Sequence, residues 1–451
     1  MRSRYRDALV HRQFRALFVS QLVSVAGTTV AAVTLTVLVY GRTGSPLLSS
    51  LTFALGFVPF LLGGILSSIS ERVPPRRLVS ACSAASAGAA ACMAWPDAPI
   101  PLLLGLLVAV GMLTSISSGA GAALLRGSVP PEAYAPARSL VRVVGQLAQI
   151  GGNAAGGVLL VVLTPGDAML VNAASFAAAA LLVRLGVDEL ERPREPAEST
   201  VLRDSLAGIR VVFADRELRR LLLLGWLVPT FAVAPEALAA PYVAGAGASP
   251  ALVGIWLCAL PLGMIAGDLL GVWRLTSEAQ RRAVAPAAAL AFLPYLAFLA
   301  HPPVAVALPL LAASGMCALY ALGLDLRVRD ATPERTFARV MTINSAGLMT
   351  LQGVGFALAG AEAELIGSPP AIALAGGCGL CAAVLFGPWR SAQPGSTDSR
   401  GAGRPPGPPG RSPAGLRPGR KACPGLHPAG ALRDGWRPRG PQPKRPPSVP
   451  P

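Results

Sequence analysis

Charge is what this chain has least of. Only 14% of its 451 residues are charged, where a soluble protein carries roughly a quarter. Histidine is scarcer still, with His11, His301 and His427 far apart along the chain. There is no HExxH, no nucleophile elbow and no phosphate-cradling loop ending in Lys-Ser/Thr. An enzyme is therefore not expected, and neither is a cofactor. The seven cysteines are scattered, and six of them lie inside apolar stretches. Cys378 and Cys381 share CxxC spacing but have no His partner, so they read as small apolar filler rather than as a metal site. A formal net charge of +16 would suit nucleic acid. Yet no basic helix with interleaved aromatics and no zinc-ligand spacing is present, so no nucleic-acid partner is expected.

What the chain does have is length in its apolar runs. A bilayer core of roughly 30 Å needs about 20 apolar residues of helix. Such runs occur near Leu17–Val39, Leu47–Ser70, Leu78–Trp95, Ile100–Leu125, Val141–Leu163 and Ala168–Val187. A second set follows near Leu218–Tyr242, Ala251–Val272, Ala283–Ala300, Val304–Leu324, Val340–Ile366 and Pro370–Trp389. Gly and Pro inside these runs are compatible with helix, because neighbouring helices re-satisfy the freed backbone groups. The basic stretch Arg2 to Arg15 leads into a run too long for a signal peptide, and further runs follow, so an uncleaved first helix is expected. The fold class is thus an all-α membrane protein of twelve transmembrane helices.

Arginine placement supports the count. With both termini in the cytoplasm, the inner connections hold Arg2, Arg4, Arg6, Arg12 and Arg15, then Arg72, Arg76 and Arg77, then Arg126, Arg138 and Arg142. The later ones hold Arg274, Arg281 and Arg282, then Arg327, Arg329, Arg335 and Arg339. Outer connections hold Arg42 alone, beside Asp97, Asp167, Glu362 and Glu364. This is the positive-inside pattern, and it predicts a multi-pass protein of the inner cell membrane.

The longest inner connection is dense in charge and turns amphipathic around Val201–Phe213. It separates residues 1–187 and 218–390, two six-helix bundles, with 188–217 as a cytoplasmic linker. Residues 391–451 are rich in Pro, Gly and Arg and poor in large apolar groups, so a disordered cytoplasmic tail is expected. The bundles echo each other. Val129-Pro-Pro-Glu132 and Arg138 precede a run with Gln149, Gly152, Gly156 and Gly157. Thr332-Pro-Glu334 and Arg339 precede a run with Gln352, Gly353, Gly355 and Gly360. Parallel six-helix repeats occur in carriers whose substrate cavity lies between the halves.

With these residues in hand, the chain resembles the major facilitator superfamily, in particular its branch of drug, macrolide and siderophore exporters. Phe14-Arg-Ala-Leu17, Thr43-Gly-Ser-Pro46, Asn172-Ala-Ala-Ser-Phe176 and Phe337-Ala-Arg-Val340 carry that likeness, which runs from about Phe14 to Trp389. Glu71-Arg-Val-Pro-Pro-Arg-Arg77 resembles the family's inner-loop signature, with Glu71 in place of the usual Asp, Ser67 in place of Gly, and Pro75 intruding. The resemblance implies a cytoplasmic gate from Glu71, Arg72, Arg76 and Arg77, in which the acid is favoured by the positive end of another helix. The alternative is an ordinary positive-inside loop. Gly152-Asn-Ala-Ala-Gly-Gly157 resembles the antiporter signature, with Asn153 where Pro is usual. Gly152, Gly156 and Gly157 serve either close helix packing or an antiport-specific role.

Thr28 occupies the place of the branch's acid in the first helix. Glu236, behind Pro229 and Pro235, is either the candidate coupling or substrate acid, because a charge at lipid depth usually faces water or function, or a residue near the outer mouth. Gln21, Thr28, Gln149, Asn344 and Gln352 are candidate substrate contacts, or helix–helix hydrogen bonds. Asp268 reads as a structural partner for Arg274 or Arg281. The resemblance implies a monomeric secondary transporter that exports small amphipathic molecules by alternating access, with proton antiport as the candidate energy source. An uptake carrier, a uniporter and a non-transporting receptor of the same fold are the alternatives.

Overall fold

A computed structural model describes residues 9–61, 73–189, 215–332 and 334–388. Among these residues the structure is helical throughout, without strands, and twelve helical segments follow the twelve apolar runs. They are α1 (Arg12–Thr43), α2 (Pro46–Ala54, running through a tight 3-10 turn into Val58–Leu61), α3 (Pro75–Met93), α4 (Ile100–Gly127), α5 (Pro131–Val162) and α6 (Pro165–Gly186). Then come α7 (Arg216–Ala232, with the short turns Ala234–Ala237 and Ala239–Gly245), α8 (Ala251–Arg274), and α9 (Ser277–Leu290, continued through Leu293–Leu296 to Ala300). Last are α10 (Val304–Met316, bent at Cys317–Leu319, then Tyr320–Ala331), α11 (Glu334–Ile366) and α12 (Ser368–Phe386). Eight of them, namely α1, α4, α6 to α10 and α12, are long and apolar enough to cross a membrane.

Local chemistry sets where these helices begin and end. Pro46, Pro75, Pro131 and Pro165 open α2, α3, α5 and α6. Proline is pre-set for that first turn, where its missing N–H costs nothing. Thr164 and Asp167 cap α6 reciprocally. Gly44 stops α1 at a φ of 65°, with its N–H on the Tyr40 carbonyl at 2.7 Å.

The two halves pack alike. In the first, α1 lies on α5 and α6, and α3 lies on α4 and α6. In the second, α7 lies on α11 and α12, and α9 lies on α10 and α12. Adding six to each helix number turns one pattern into the other. The cores differ in bulk. The first half uses small groups such as Ala31, Ala90 and Ala173 around Leu35, Met93 and Phe176. The second is built on Tyr242, Trp256 and Phe298, whose ring centroids lie 4.6, 5.4 and 6.1 Å apart. Large apolar side chains such as Val158, Leu181, Trp273 and Leu385 point outward, as they do where the solvent is lipid.

The signature residues Glu71 and Arg72, the amphipathic Val201–Phe213 segment and the tail from 391 lie outside the described residues.

Candidate functional site

Two seams join the halves, and glycine makes both. In the first, Gly152 and Gly156 bring α5 against Thr29, Val30 and Val33 of α1, while Gly157 turns to α8. There it meets Gly254, with Asn153 Nδ2 donating to the Leu257 carbonyl at 3.3 Å and Cys258 Sγ donating to the Ile150 carbonyl at 3.3 Å. Asn153 is buried, and its amide finds its acceptor across the seam. In the second, Gly355 brings α11 against the Thr230 backbone of α7, while Gly353 and Gly360 turn to Phe57 and Ser50 of α2. Phe356 stacks between Phe53 and Phe57, at 5.3 and 5.6 Å. The glycines that repeat in the sequence therefore do equivalent work in each half.

The second seam ends in a charge. Glu364 of α11 reaches the start of α2, where its carboxylate accepts from Ser45 Oγ at 2.9 Å and from the Leu47 N–H at 3.2 Å. An anion at a helix N-terminus is favoured by the unpaired N–H groups there. Among the described residues, the contacts of Gly157 with Gly254, of Gly360 with Ser50 and of Glu364 with Ser45 lie toward the end of the bundle that carries the α1–α2, α5–α6, α7–α8 and α11–α12 turns. Arg42 ties the α1–α2 turn to the α3–α4 turn by donating to the carbonyls of Ala98, at 2.9 Å, and Pro96.

Glu236 occupies the break in α7. Its turn, Ala234–Ala237, touches α2, α11 and α12. Two aromatic side chains brace this break: Tyr295 Oη donates to the Ala232 carbonyl at 2.8 Å, and Trp256 Nε1 to the Pro235 carbonyl at 2.7 Å. Carbonyls freed by the irregular backbone are thus satisfied from α9 and α8. Glu236 itself is half-buried, and no cation pairs with its carboxylate among the described residues.

At the opposite end, Arg76 and Arg77 meet Glu189 at 4.0 and 3.2 Å, and Arg76 also donates to the Arg184 carbonyl. They brace α3 against the end of α6, within one half. Where α4 gives way to α5, Arg138 donates to Tyr134 Oη at 3.4 Å and Arg126 stands 5.9 Å from that ring. The hydrogen bond and the two positive charges hold the Tyr134 phenol below its ordinary pKa. In the second half Arg281 pairs with Asp330 at 2.8 Å, and Asp268 is exposed on α8.

The polar candidates divide. Asn344 takes Trp226 Nε1 on both its backbone and side-chain oxygens at 3.1 Å, a helix–helix bond between α11 and α7. Thr28 Oγ1 donates to the Ser24 carbonyl of its own helix at 2.8 Å. Gln21 and Thr28, two turns apart on α1, are exposed, as is Gln149 on α5. Gln352 is half-buried on α11. Sequence reasoning met Ser45 only inside the Thr43–Pro46 motif, read Glu189 only as linker charge and Glu364 only as outer-loop charge, and named neither Trp256 nor Tyr295. A Ser-Pro pair at a helix start was the available signal for Ser45.

Comparison with known proteins agrees with this architecture. Solved structures of the same fold include a bacterial homologue of the human lysosomal transporter Spinster in an inward-facing, unoccupied conformation. It has 15% identity and a TM-score of 0.65 over 83% of this chain and 96% of that one. The nucleoside transporter NupG matches at 12% identity and a TM-score of 0.65, over 83% and 98%. A bacterial homologue of the iron transporter ferroportin, inward-facing, matches at 15% and 0.62, over 84% and 98%. No curated protein matches the sequence. The Major Facilitator Superfamily model matches residues 17–322. The chain belongs to the Major Facilitator Superfamily and is a multi-pass membrane transporter of that fold.

Proposed function

We propose that this transporter exports small amphipathic molecules by alternating access, with protons exchanging at Glu236. The observation that carries the reading is the place of Glu236, in the braced break of α7 and on a turn that touches both α2 and α11. A charge at lipid depth costs on the order of 2.5–3.5 kcal/mol on insertion scales, and here no described cation offsets it. Gaining or losing a proton there changes the energy of a turn that belongs to one half and touches the other. That supports coupling between protonation and the seam.

The glycine seams support rocking. Close backbone approach at Gly157 and Gly254 leaves few bulky side chains to unlock there, which lowers the steric cost of tilting one half against the other. With the arginine-rich end in the cytoplasm, the seams and the Glu364 contact close the outer side, so cargo enters from the inside. The spans are dominated by Ala, Leu, Val, Ser and Thr, without Arg or Lys at mid-span, which suits apolar cargo better than sugars or anions. Inner-membrane localisation, cytoplasmic termini and a monomeric state belong to the same reading.

Efflux of a compound panel from a deletion strain, followed by uptake into inside-out vesicles, tests it. Cargo movement is expected to stop when the proton gradient is collapsed. In Glu236→Gln, energised transport is expected to be lost while passive exchange of cargo persists. Energised transport that survives Glu236→Gln removes Glu236 as the coupling acid. Cargo movement indifferent to the gradient leaves a uniporter, or an uptake carrier if cargo accumulates inside whole cells.

A further inference from the structure

We propose that the trough between α3 and α6 is a binding site for an anionic phospholipid. One end of this trough is basic. Arg76, Arg77 and Arg184 stand at its mouth with a single carboxylate, Glu189, among them. Glu189 is already shared by Arg76 and Arg77, and among the described residues no carboxylate pairs with Arg184. Three guanidinium groups against one acid leave a surplus of positive charge at this mouth.

From the mouth the lining turns apolar and small. Ala81, Ala84 and Ala87 of α3 face Ala177, Ala180 and Leu181 of α6, and with the mouth they enclose about 790 Å³. Ala81, Ala84 and Ala177 are exposed, so no other part of the described chain covers them. A side chain of one methyl group at the five alanines keeps the trough open. The profile is that of an amphiphile: anion recognition at one end, at the depth where helices leave the bilayer, and an alkyl-sized channel running inward from it. Arginine suits the headgroup, because its planar fork meets phosphate oxygens two at a time, and basic pockets between membrane helices hold lipid headgroups. A soluble anion would use the mouth alone and leave the alanine lining without purpose. The phosphate therefore sits on Arg77 and Arg184, and an acyl chain lies over Ala84 and Ala177.

Native mass spectrometry of the purified full chain, mixed with micelles of either phosphatidylglycerol or phosphatidylcholine, tests the site. Phosphatidylglycerol is expected to be retained at a concentration where phosphatidylcholine is not. Arg184→Gln is expected to weaken retention about fivefold, the effect of one interfacial arginine, whereas Arg184→Lys keeps most of it. Ala84→Leu, on an exposed position that tolerates bulk, is expected to weaken it as well by filling the trough. Arg274→Gln, in the other half, is expected to change nothing. Equal retention of the two lipids overturns the proposal, as does retention untouched by Ala84→Leu, which would reduce the mouth to a simple anion trap. A loss in Arg274→Gln equal to that in Arg184→Gln would also overturn it, because charge anywhere on the protein would then be enough.

Discussion

Gly157 of α5 stands so close to Gly254 of α8 that a Cβ on Gly254 would lie 2.7 Å from the Gly157 Cα. Side chains never approach that closely, so any residue larger than glycine must part the two helices. Gly254→Leu is expected to destabilise the fold by about 1–3 kcal/mol, the usual cost of overpacking. It should also drive the halves apart at this seam. Gly105→Leu is the control, because open space surrounds Gly105 on α4. Thermal unfolding in detergent reads both. Equal midpoints for the two variants would mean that the seam gives way freely.

The Glu364 carboxylate holds the start of α2 through Ser45 Oγ and the Leu47 N–H. Glu364→Gln removes the charge but keeps the shape. Its expected effect is a wider, more varied separation of α2 and α11 at this end, with Ser45→Ala giving a smaller change in the same direction. Spin-label distances between Leu48→Cys and Leu365→Cys, in a background without the native cysteines, measure it. An unchanged distance distribution would reduce the contact to a passive cap.

Trp256 Nε1 satisfies the Pro235 carbonyl at 2.7 Å from a buried site. Trp256→Phe leaves that carbonyl unpaired beside Glu236, at an expected cost of about 1–3 kcal/mol. The break in α7 should loosen, and on the proposed exchange of protons at Glu236, transport by Trp256→Phe should lose its dependence on the proton gradient before it loses cargo binding. Flux measured across a series of gradients, together with cargo binding at equilibrium, separates the two effects.

Arg77 and Ser277 open helices six apart in the repeat, α3 and α9. An impermeant thiol reagent is expected to label Arg77→Cys and Ser277→Cys from the same side of sealed vesicles, the cytoplasmic side. Labelling from opposite sides would invert half the spans and dissolve the paired-bundle arrangement.

Much of this architecture was legible before any coordinates. Helix number and helix limits follow from apolar run length, because each run must bury its own backbone hydrogen bonds in lipid. Arg12–Thr43 around the run Leu17–Val39, and Ile100–Gly127 around Ile100–Leu125, differ from expectation mainly by polar turns at their ends. The repeated Pro-Glu, Gln and Gly positions also carried the two-fold internal likeness. Partners were another matter. Gly152 and Gly157 lie five residues apart on one helix, yet one serves α1 within its own half and the other serves α8 across the seam. Asn344 could have met cargo or a helix, and its oxygens are spent on Trp226.

The sequence by itself determined that this chain lives in lipid, how many times it crosses, and that it belongs with the carriers. The first two are properties of composition and period, written locally along the chain, and the third rests on resemblance to a known family. Only the tertiary structure decided that Glu364 caps α2 across 317 residues of chain, that Trp256 and Tyr295 brace the turn of Glu236, and that three arginines share one acid at the mouth of an alanine trough. A helix has neighbours on every face. Which neighbour each face receives depends on how all twelve pack at once, and no stretch of sequence holds that information alone.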